Sequence, residues 1–194
     1  MSGVEARAVT EPSRSAAPVR LPVRSLVLVG LMGAGKSCVG RKLAQRLALP
    51  FVDADSEIEK AAGLSIEEIF ATHGETAFRA GERRVIQRLL DGPLQVLATG
   101  GGAYMDATTR QRIAERGIAI WRKADLELLV RRTGRKGNRP LLKRGEPREI
   151  LARLMEQRYP IYAEADLTVD SSDAPPDTLV DRILVELERR GFLT

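Results

Sequence analysis

The chain has 194 residues, of which 43% are hydrophobic and 29% charged, with a formal net charge of +5 at pH 7. These proportions are typical of a globular protein, and the length suits one domain with or without a tail. A single cysteine and a single histidine argue against a disulfide framework, a thiolate metal site or a histidine-rich metal site. No apolar stretch approaches the ~18 residues of a membrane span, so we expect no membrane partner.

The net positive charge is the one feature of the composition that suggests nucleic-acid binding. The arginines are scattered rather than massed, and only 4% of the residues are aromatic, which leaves few platforms on which bases could stack. Anionic small molecules account for the charge at least as well. We therefore expect small anionic ligands and no nucleic acid.

The first 24 residues differ from the rest of the chain. They are rich in alanine, serine, proline and arginine and show no apolar periodicity, which predicts a disordered extension. They lack the apolar centre of a secretory signal, and the single cysteine fits a reducing compartment, so we expect a cytoplasmic protein. The folded domain is then expected over residues 25–194.

A phosphate-binding loop follows the first predicted strand. The apolar run Leu26–Val29 leads into Gly30-x-x-x-x-Gly35-Lys36-Ser37, and an amphipathic helix is predicted from about Lys36 to Leu47. Glycine permits close approach of the backbone to phosphate, Lys36 brings a positive charge, and the Ser37 hydroxyl is a hard oxygen ligand for Mg²⁺. The pattern predicts a nucleoside triphosphate bound by Gly33, Ala34, Gly35, Lys36, Ser37 and Cys38.

Strands and helices alternate along the rest of the chain. Four more strands are predicted at Pro50–Asp53, Val96–Thr99, Ile118–Trp121 and Leu167–Asp170. Helices are predicted from a capping box at Ser56–Glu59, around Ile66–Phe70, and over Glu75–Leu90, Asp106–Arg116, Asp125–Arg132, Pro147–Tyr162 and Asp177–Arg190. Residues 133–146 are polar and glycine-bearing, which predicts a mobile loop. This alternation predicts an α/β fold with a five-stranded parallel sheet covered on both faces and ligands at the carboxyl ends of its strands.

Several motifs together resemble the shikimate kinase family in order and spacing, from about Ser25 to about Asp170. Besides the phosphate-binding loop they are Phe51-Val-Asp-Ala-Asp55, Phe78-Arg79, Gly100-Gly-Gly102, Arg139-Pro-Leu141 and Arg158-x-x-x-Tyr162. The resemblance implies a P-loop kinase fold of the nucleoside-monophosphate-kinase type, with residues 133–146 as a lid. It also implies transfer of the γ-phosphoryl group of ATP to the 3-hydroxyl of shikimate, a step toward chorismate and the aromatic amino acids.

The resemblance assigns roles at the acceptor side of the reaction. Asp55 is expected to orient the attacking hydroxyl or accept its proton, although Asp55 and Ser56 could instead merely start a helix. Asp53 is expected to support Mg²⁺ through water, together with Ser37. Arg79 and Arg158 are expected to clamp the shikimate carboxylate as bidentate forks. Gly100, Gly101 and Gly102 are expected to donate N–H groups to the substrate.

On the nucleotide side, Arg139 of the lid is expected to stabilise charge on the transferring group, and Arg132 to line the nucleotide site. Asp55, Lys36 and Arg139 form the expected catalytic set, and the protein is expected to act as a monomer on ATP and shikimate. Cys38 stands where the family commonly has threonine. Residues 171–176, where the family contacts adenine, match no family residue.

Two other functions remain open at this stage. A different small-molecule P-loop kinase, such as a gluconate kinase, would share the loop but should lack the pair Arg79 and Arg158 combined with Asp-x-Asp and the triple glycine. A nucleotide-dependent switch or nucleic-acid-associated ATPase should show an Asn-Lys-x-Asp motif or a concentrated basic stripe with aromatics, and the sequence has neither.

Overall fold

The structure, a computed structural model, describes residues 20–134 and 145–194. In these residues five strands form one parallel sheet, β1 (Ser25–Val29), β2 (Phe51–Asp53), β3 (Val96–Ala98), β4 (Gly117–Lys123) and β5 (Leu167–Asp170). The helices are α1 (Lys36–Arg46), α2 (Ala54–Ala62), α3 (Ile66–Leu90), α4 (Ala107–Arg116), α5 (Leu126–Gly134), α6 (Pro147–Tyr162) and α7 (Pro176–Arg189). None of these helices is long and apolar enough to cross a membrane.

The strand order is β2-β3-β1-β4-β5, so β1 lies in the middle of the sheet. Leu26 of β1 pairs with Val96 of β3 on one side and with Ile118 of β4 on the other. Because every strand is parallel, each connection crosses over the sheet and every carboxyl end reaches the same edge. The predicted five-stranded parallel sheet with helices is confirmed.

The two faces of the sheet carry separate hydrophobic cores. Alternate residues of β1 are buried on opposite sides, Val27 and Val29 with Trp121 on one and Leu26 and Leu28 with residues of α1 and α7 on the other. All of β1 is buried, as expected of a strand covered on both faces. Burial of each large aliphatic side chain stabilises the fold by ~1.5–3 kcal/mol.

The structure corrects one predicted helix start. Helix α2 begins at Ala54 rather than at Ser56, because the Asp53 carboxylate accepts the backbone N–H of Asp55 at 3.2 Å and caps the helix. The capping box in this region belongs to Ser65 and Glu68, at the start of α3. The segments predicted around Ile66–Phe70 and Glu75–Leu90 are both helical, and the structure joins them as α3 across a kink at Gly74, where φ is +76°.

The predicted N-terminal extension is five residues too long, since residues 20–24 lie against the C-terminal end of the chain. The Val23 N–H donates to the carbonyl of Phe192 at 3.0 Å, and the Thr194 N–H donates to the carbonyl of Leu21 at 2.9 Å. Arg20 forms an ion pair with Glu188. Residues 1–19 lie outside the described part of the chain, and the expectation for them stays a prediction.

Two truncations test this boundary. Removal of residues 1–19 should leave the melting temperature nearly unchanged, because the sequence offers no apolar face there to bury. Removal of residues 1–24 deletes both backbone hydrogen bonds, worth about 1 kcal/mol each, and should lower the melting temperature by on the order of 5 °C. Thermal unfolding of both truncated proteins beside the full chain measures the difference; equal melting temperatures would show that the pairing contributes no stability.

Candidate active site

Residues 30–37 connect β1 to α1 as a loop held close to the neighbouring strand. A Cβ at Gly30, where φ is +134°, would lie 2.7 Å from the carbonyl oxygen of Arg122, so only glycine fits this approach. Lys36 Nζ donates to the carbonyls of Gly30 at 2.7 Å and Leu31 at 3.0 Å, which folds the lysine back along the loop. The N-terminus of α1 also offers backbone N–H groups without intrahelical partners. A lysine beside a helix N-terminus is the combination from which proteins commonly build anion-binding sites.

One carboxylate connects this loop to the next strand. Ser37 Oγ donates to Asp53 Oδ2 at 2.9 Å, and Asp53 Oδ1 accepts the N–H of Asp55. The pair of Ser37 and Asp53 supplies hard oxygen ligands at the phosphate loop, and this suits Mg²⁺, which keeps several waters and takes few protein ligands. Within residues 20–134 and 145–194 there is no cluster of three acidic, histidine or cysteine side chains that could hold a metal by itself. A magnesium ion here would therefore depend on the nucleotide phosphates and water.

Asp55 lies near Lys36 of the phosphate loop and Arg79 of α3. Its Oδ1 would be 2.7 Å from a Cβ at Gly100, so the carboxylate packs directly on the backbone after β3. Burial raises the pKa of Asp55, and the negative charge of Asp53 raises it further, while Lys36 and Arg79 oppose the shift. A carboxylate of raised pKa is the better proton acceptor at neutral pH.

The two arginines predicted to form a clamp line one cleft of about 290 Å³. Arg79 Nη1 donates to Glu82 Oε2 at 2.7 Å, and its Nη2 lies 3.4 Å from Glu75 Oε1. Arg158 Nη1 donates to the carbonyl of Gly101 at 2.9 Å. The structure thus brings Arg79 of α3 and Arg158 of α6, which are 79 residues apart in sequence, to the same turn after β3.

The triple glycine packs against these functional side chains. A Cβ at Gly102 would lie 2.5–2.7 Å from three atoms of the Arg79 guanidinium, and a Cβ at Gly101 would lie 3.4 Å from Arg158 Nη1. The hydroxyl of buried Tyr162 also donates to the Gly101 carbonyl. The turn is therefore held in place by its neighbours.

Glu82 is a site residue that the sequence reasoning missed. It is 3% exposed, and burial raises the pKa of its carboxyl group while the hydrogen bond from Arg79 opposes the shift. Its spacing of three residues from Arg79 on one helix was an available signal, since such neighbours face each other. Glu82 fixes the orientation of Arg79, which lines the cleft.

On the nucleotide side, Arg132 and Ser171 lie close to the phosphate loop. Arg132 Nη2 donates to the carbonyl of Ser172 at 2.7 Å, and Arg132 Nη1 would lie 3.5 Å from a Cβ at Gly35. Ser171 Oγ donates to the carbonyl of Ala34 at 2.9 Å, so the segment that matched no family residue does contact the phosphate loop. Cys38 is exposed on α1. Arg139 and most of the predicted lid lie in residues 135–144, outside the described part of the chain.

Comparison with known proteins identifies similar sequences and folds. A sequence model of the family described as shikimate kinase matches residues 32–188. A shikimate kinase of Paramagnetospirillum magneticum is 64% identical over 161 residues, 83% of each chain. A shikimate kinase structure from Acinetobacter baumannii in complex with shikimate is 40% identical with a TM-score of 0.83, covering 88% of this chain and 94% of that one.

A gluconokinase structure from Sinorhizobium meliloti also matches, over 88% of this chain and 94% of the gluconokinase chain. It is only 18% identical, with a TM-score of 0.57. That likeness extends to the fold alone. It gives no support to a sugar acid as the substrate.

The raised pKa of Asp55 predicts how its replacement changes stability with pH. A carboxyl group whose pKa is raised by folding favours the folded state fully below its ordinary pKa, and that contribution is lost as the pH rises through the folded value. Asp55→Asn should therefore raise the melting temperature at pH 7, with the gain shrinking as the pH falls toward ~4. Thermal unfolding from pH 4 to 8 measures this difference.

Asp177→Asn is the matched control for this experiment. The hydrogen bond from Lys42 lowers the pKa of Asp177, so its carboxylate stabilises the fold at neutral pH. Asp177→Asn should therefore lower the melting temperature at pH 7, and this loss should shrink as the pH falls. A stability gain of Asp55→Asn that does not change with pH would contradict the electrostatic explanation.

Proposed function

The chain belongs to the shikimate kinase family, and from that premise we propose how its residues share the reaction. The enzyme transfers the γ-phosphoryl group of ATP to the 3-hydroxyl of shikimate, within the biosynthesis of aromatic amino acids. The observation that supports our assignment of roles is the set of charges around Asp55. Its raised pKa is opposed by Lys36 of the phosphate loop and by Arg79, and Arg79 lines a cleft together with Arg158.

Arg79 and Arg158 bind the carboxylate of shikimate. Both arginines line the cleft, and hydrogen bonds fix their positions, from Arg79 to Glu82 and Glu75 and from Arg158 to the Gly101 carbonyl. Guanidinium can donate two parallel hydrogen bonds to a carboxylate, which sets the orientation of the ring as well as its affinity. The N–H groups of Gly100, Gly101 and Gly102 lie beside this pair and contribute further donors.

Asp55 receives the proton of the attacking hydroxyl. The oxygen–phosphorus bond to shikimate forms as the bond between the γ-phosphorus and the bridging oxygen breaks, and ADP leaves with the bonding electrons. Because this transition state is loose, positioning of the hydroxyl matters more than strong basicity. The packing of Asp55 beside Gly100 supplies that positioning, and the positive charge of Lys36 partly balances the charge of the carboxylate.

The triphosphate binds to the phosphate loop. We assign Gly33, Ala34, Gly35 and Cys38 to the binding of phosphate through the backbone, and Lys36 to the β- and γ-phosphates. Ser37, with Asp53 acting through water, would hold Mg²⁺, which neutralises charge on the phosphates when it is bound. Arg132 borders the nucleotide. Arg139 completes the catalytic set from the lid, and we propose a monomeric enzyme that works in the cytoplasm, where ATP is available.

The carboxylate clamp is tested by removing one arm. Arg158→Ala should raise the KM for shikimate by roughly ten- to a hundredfold, because a charged hydrogen-bond pair is worth ~1.5–3 kcal/mol, and should change the KM for ATP far less. Arg153→Ala, an exposed arginine on the same helix α6, is the control and should leave both constants near wild type. Steady-state kinetics with each substrate varied in turn would refute the clamp if both KM values rose equally.

The role of Asp55 is tested by Asp55→Asn, which keeps the shape of the side chain but cannot accept the proton. The variant should lower kcat toward the small end of the ~10²–10⁴ range for a positioned acid–base group. Titration with a non-hydrolysable ATP analogue should give near-normal affinity, because the phosphate loop is unchanged. Normal turnover by a folded Asp55→Asn enzyme would mean that Asp55 only helps to start α2.

A further inference from the structure

Arg122 is a charged residue in the core that no step of the reaction uses. It is the next-to-last residue of β4, pairs with Val169 of β5, and is 1% exposed. Side chains alternate along a strand, so Arg122 lies on the same face as Ile118 and Ile120, which pack with residues of α1 and α7. Its guanidinium is therefore enclosed at the carboxyl end of that layer.

This guanidinium is poorly satisfied. Nη1 lies 3.4 Å from the carbonyl of Val169, and neither Nε nor Nη2 has a hydrogen-bond partner among the residues that the structure describes. Burial lowers the pKa of Arg122 to about 10, with a smaller contribution from the nearby positive charge of Arg132 and an opposing one from Asp170. The side chain thus stays charged at neutral pH. A buried charge without adequate partners destabilises a fold, so its presence needs a compensating function.

The surroundings of Arg122 belong to the nucleotide side of the cleft. Its carbonyl oxygen is the atom that excludes a Cβ at Gly30, the first residue of the phosphate loop. The carbonyl of the following residue, Lys123, accepts the N–H of Ser171 at 2.5 Å, and Ser171 in turn contacts Ala34. The end of β4, the phosphate loop and the segment after β5 are therefore in direct contact.

Positive potential accumulates at this point. Helices α1 and α7 both begin at the carboxyl edge of the sheet, because each follows a parallel strand, and the N-terminus of a helix carries a partial positive charge. Arg132 adds a full charge whose partners are the carbonyl of Ser172 and, at 3.6 Å, the 68% exposed carboxylate of Asp173. An exposed carboxylate neutralises such a charge weakly. A polyanion bound at the phosphate loop would compensate all of these groups together.

We propose that Arg122 is a positioning residue for ATP, whose buried charge strengthens nucleotide binding through Arg132 and the phosphate loop and lowers the stability of the empty protein. The repulsion between the two arginines is relieved when the triphosphate binds, so part of the strain in the empty protein becomes binding free energy. The inference rests on ATP as the substrate of the proposed function and adds a residue to its binding.

The test replaces the charge by an apolar side chain of similar length. Arg122→Met should weaken the binding of a non-hydrolysable ATP analogue by roughly tenfold or more, the size expected of unit charges ~10 Å apart at an effective dielectric constant of ~20. The KM for shikimate should stay within about twofold, and the melting temperature without nucleotide should rise. Arg122→Lys, which keeps the charge, should retain more of the affinity than Arg122→Met. Arg116→Met, an exposed arginine just before the amino end of the same strand, controls for net charge and should change nothing.

The outcomes separate this inference from the proposed function. Unchanged analogue affinity in Arg122→Met, or equal weakening of ATP and shikimate, would refute the positioning role while wild-type turnover still supports the kinase. A lower melting temperature of both Arg122→Met and Arg122→Gln would show that Arg122 is structural, and would equally refute it. If the wild-type protein bound no ATP analogue and phosphorylated no shikimate, the proposed function itself would be wrong.

Discussion

The arrangement of the active site depends on the two hydrogen bonds of the Asp53 carboxylate. One oxygen accepts the hydroxyl of Ser37 in the phosphate loop, and the other accepts the N–H of Asp55 at the start of α2. Strands β1 and β2 are not neighbours, because β3 lies between them, so no ladder of backbone hydrogen bonds sets the distance between these two loops. A hydrogen bond to a charged group is worth ~1.5–3 kcal/mol, enough to hold the phosphate loop and the acceptor side of the site in register.

The parallel sheet brings many charged groups close together at one edge. Every strand delivers its carboxyl end to one edge, and the helices that follow begin there, so charged groups and helix N-termini collect in a small volume. The raised pKa values of Asp55 and Glu82 and the poorly paired Arg122 are the energetic consequences of this arrangement. The two hydrophobic cores on either side of the sheet supply the stability that lets these strained groups persist. Proteins commonly place such locally unfavourable choices at their functional sites.

Much of the fold was predictable, because each strand is an apolar run bounded by glycine, proline or carboxylates. Helix α6 and strand β5 have the bounds expected from the sequence. The predicted start of α2 was wrong because Asp53 and Ser56 are both good helix N-caps. The hydrogen bond from Ser37 holds the Asp53 carboxylate, and that carboxylate caps the helix. Glu82 escaped notice because charged pairs on a helix are usually exposed, whereas α3 buries this one under the turn after β3. The pairing of residues 20–24 uses backbone groups, which leave no pattern in the side chains.

The triple glycine shows why composition alone understates a site. A run of three glycines is typical of a flexible turn, yet functional side chains fill the space beside each of these residues. Asp55 and Glu82 pack on Gly100, and the two clamp arginines pack on Gly101 and Gly102. The absence of side chains in the turn is therefore the condition that allows two carboxylates and two guanidinium groups to approach one stretch of backbone. Contacts with these charged side chains then hold the turn more firmly than a run of glycines would be held by itself.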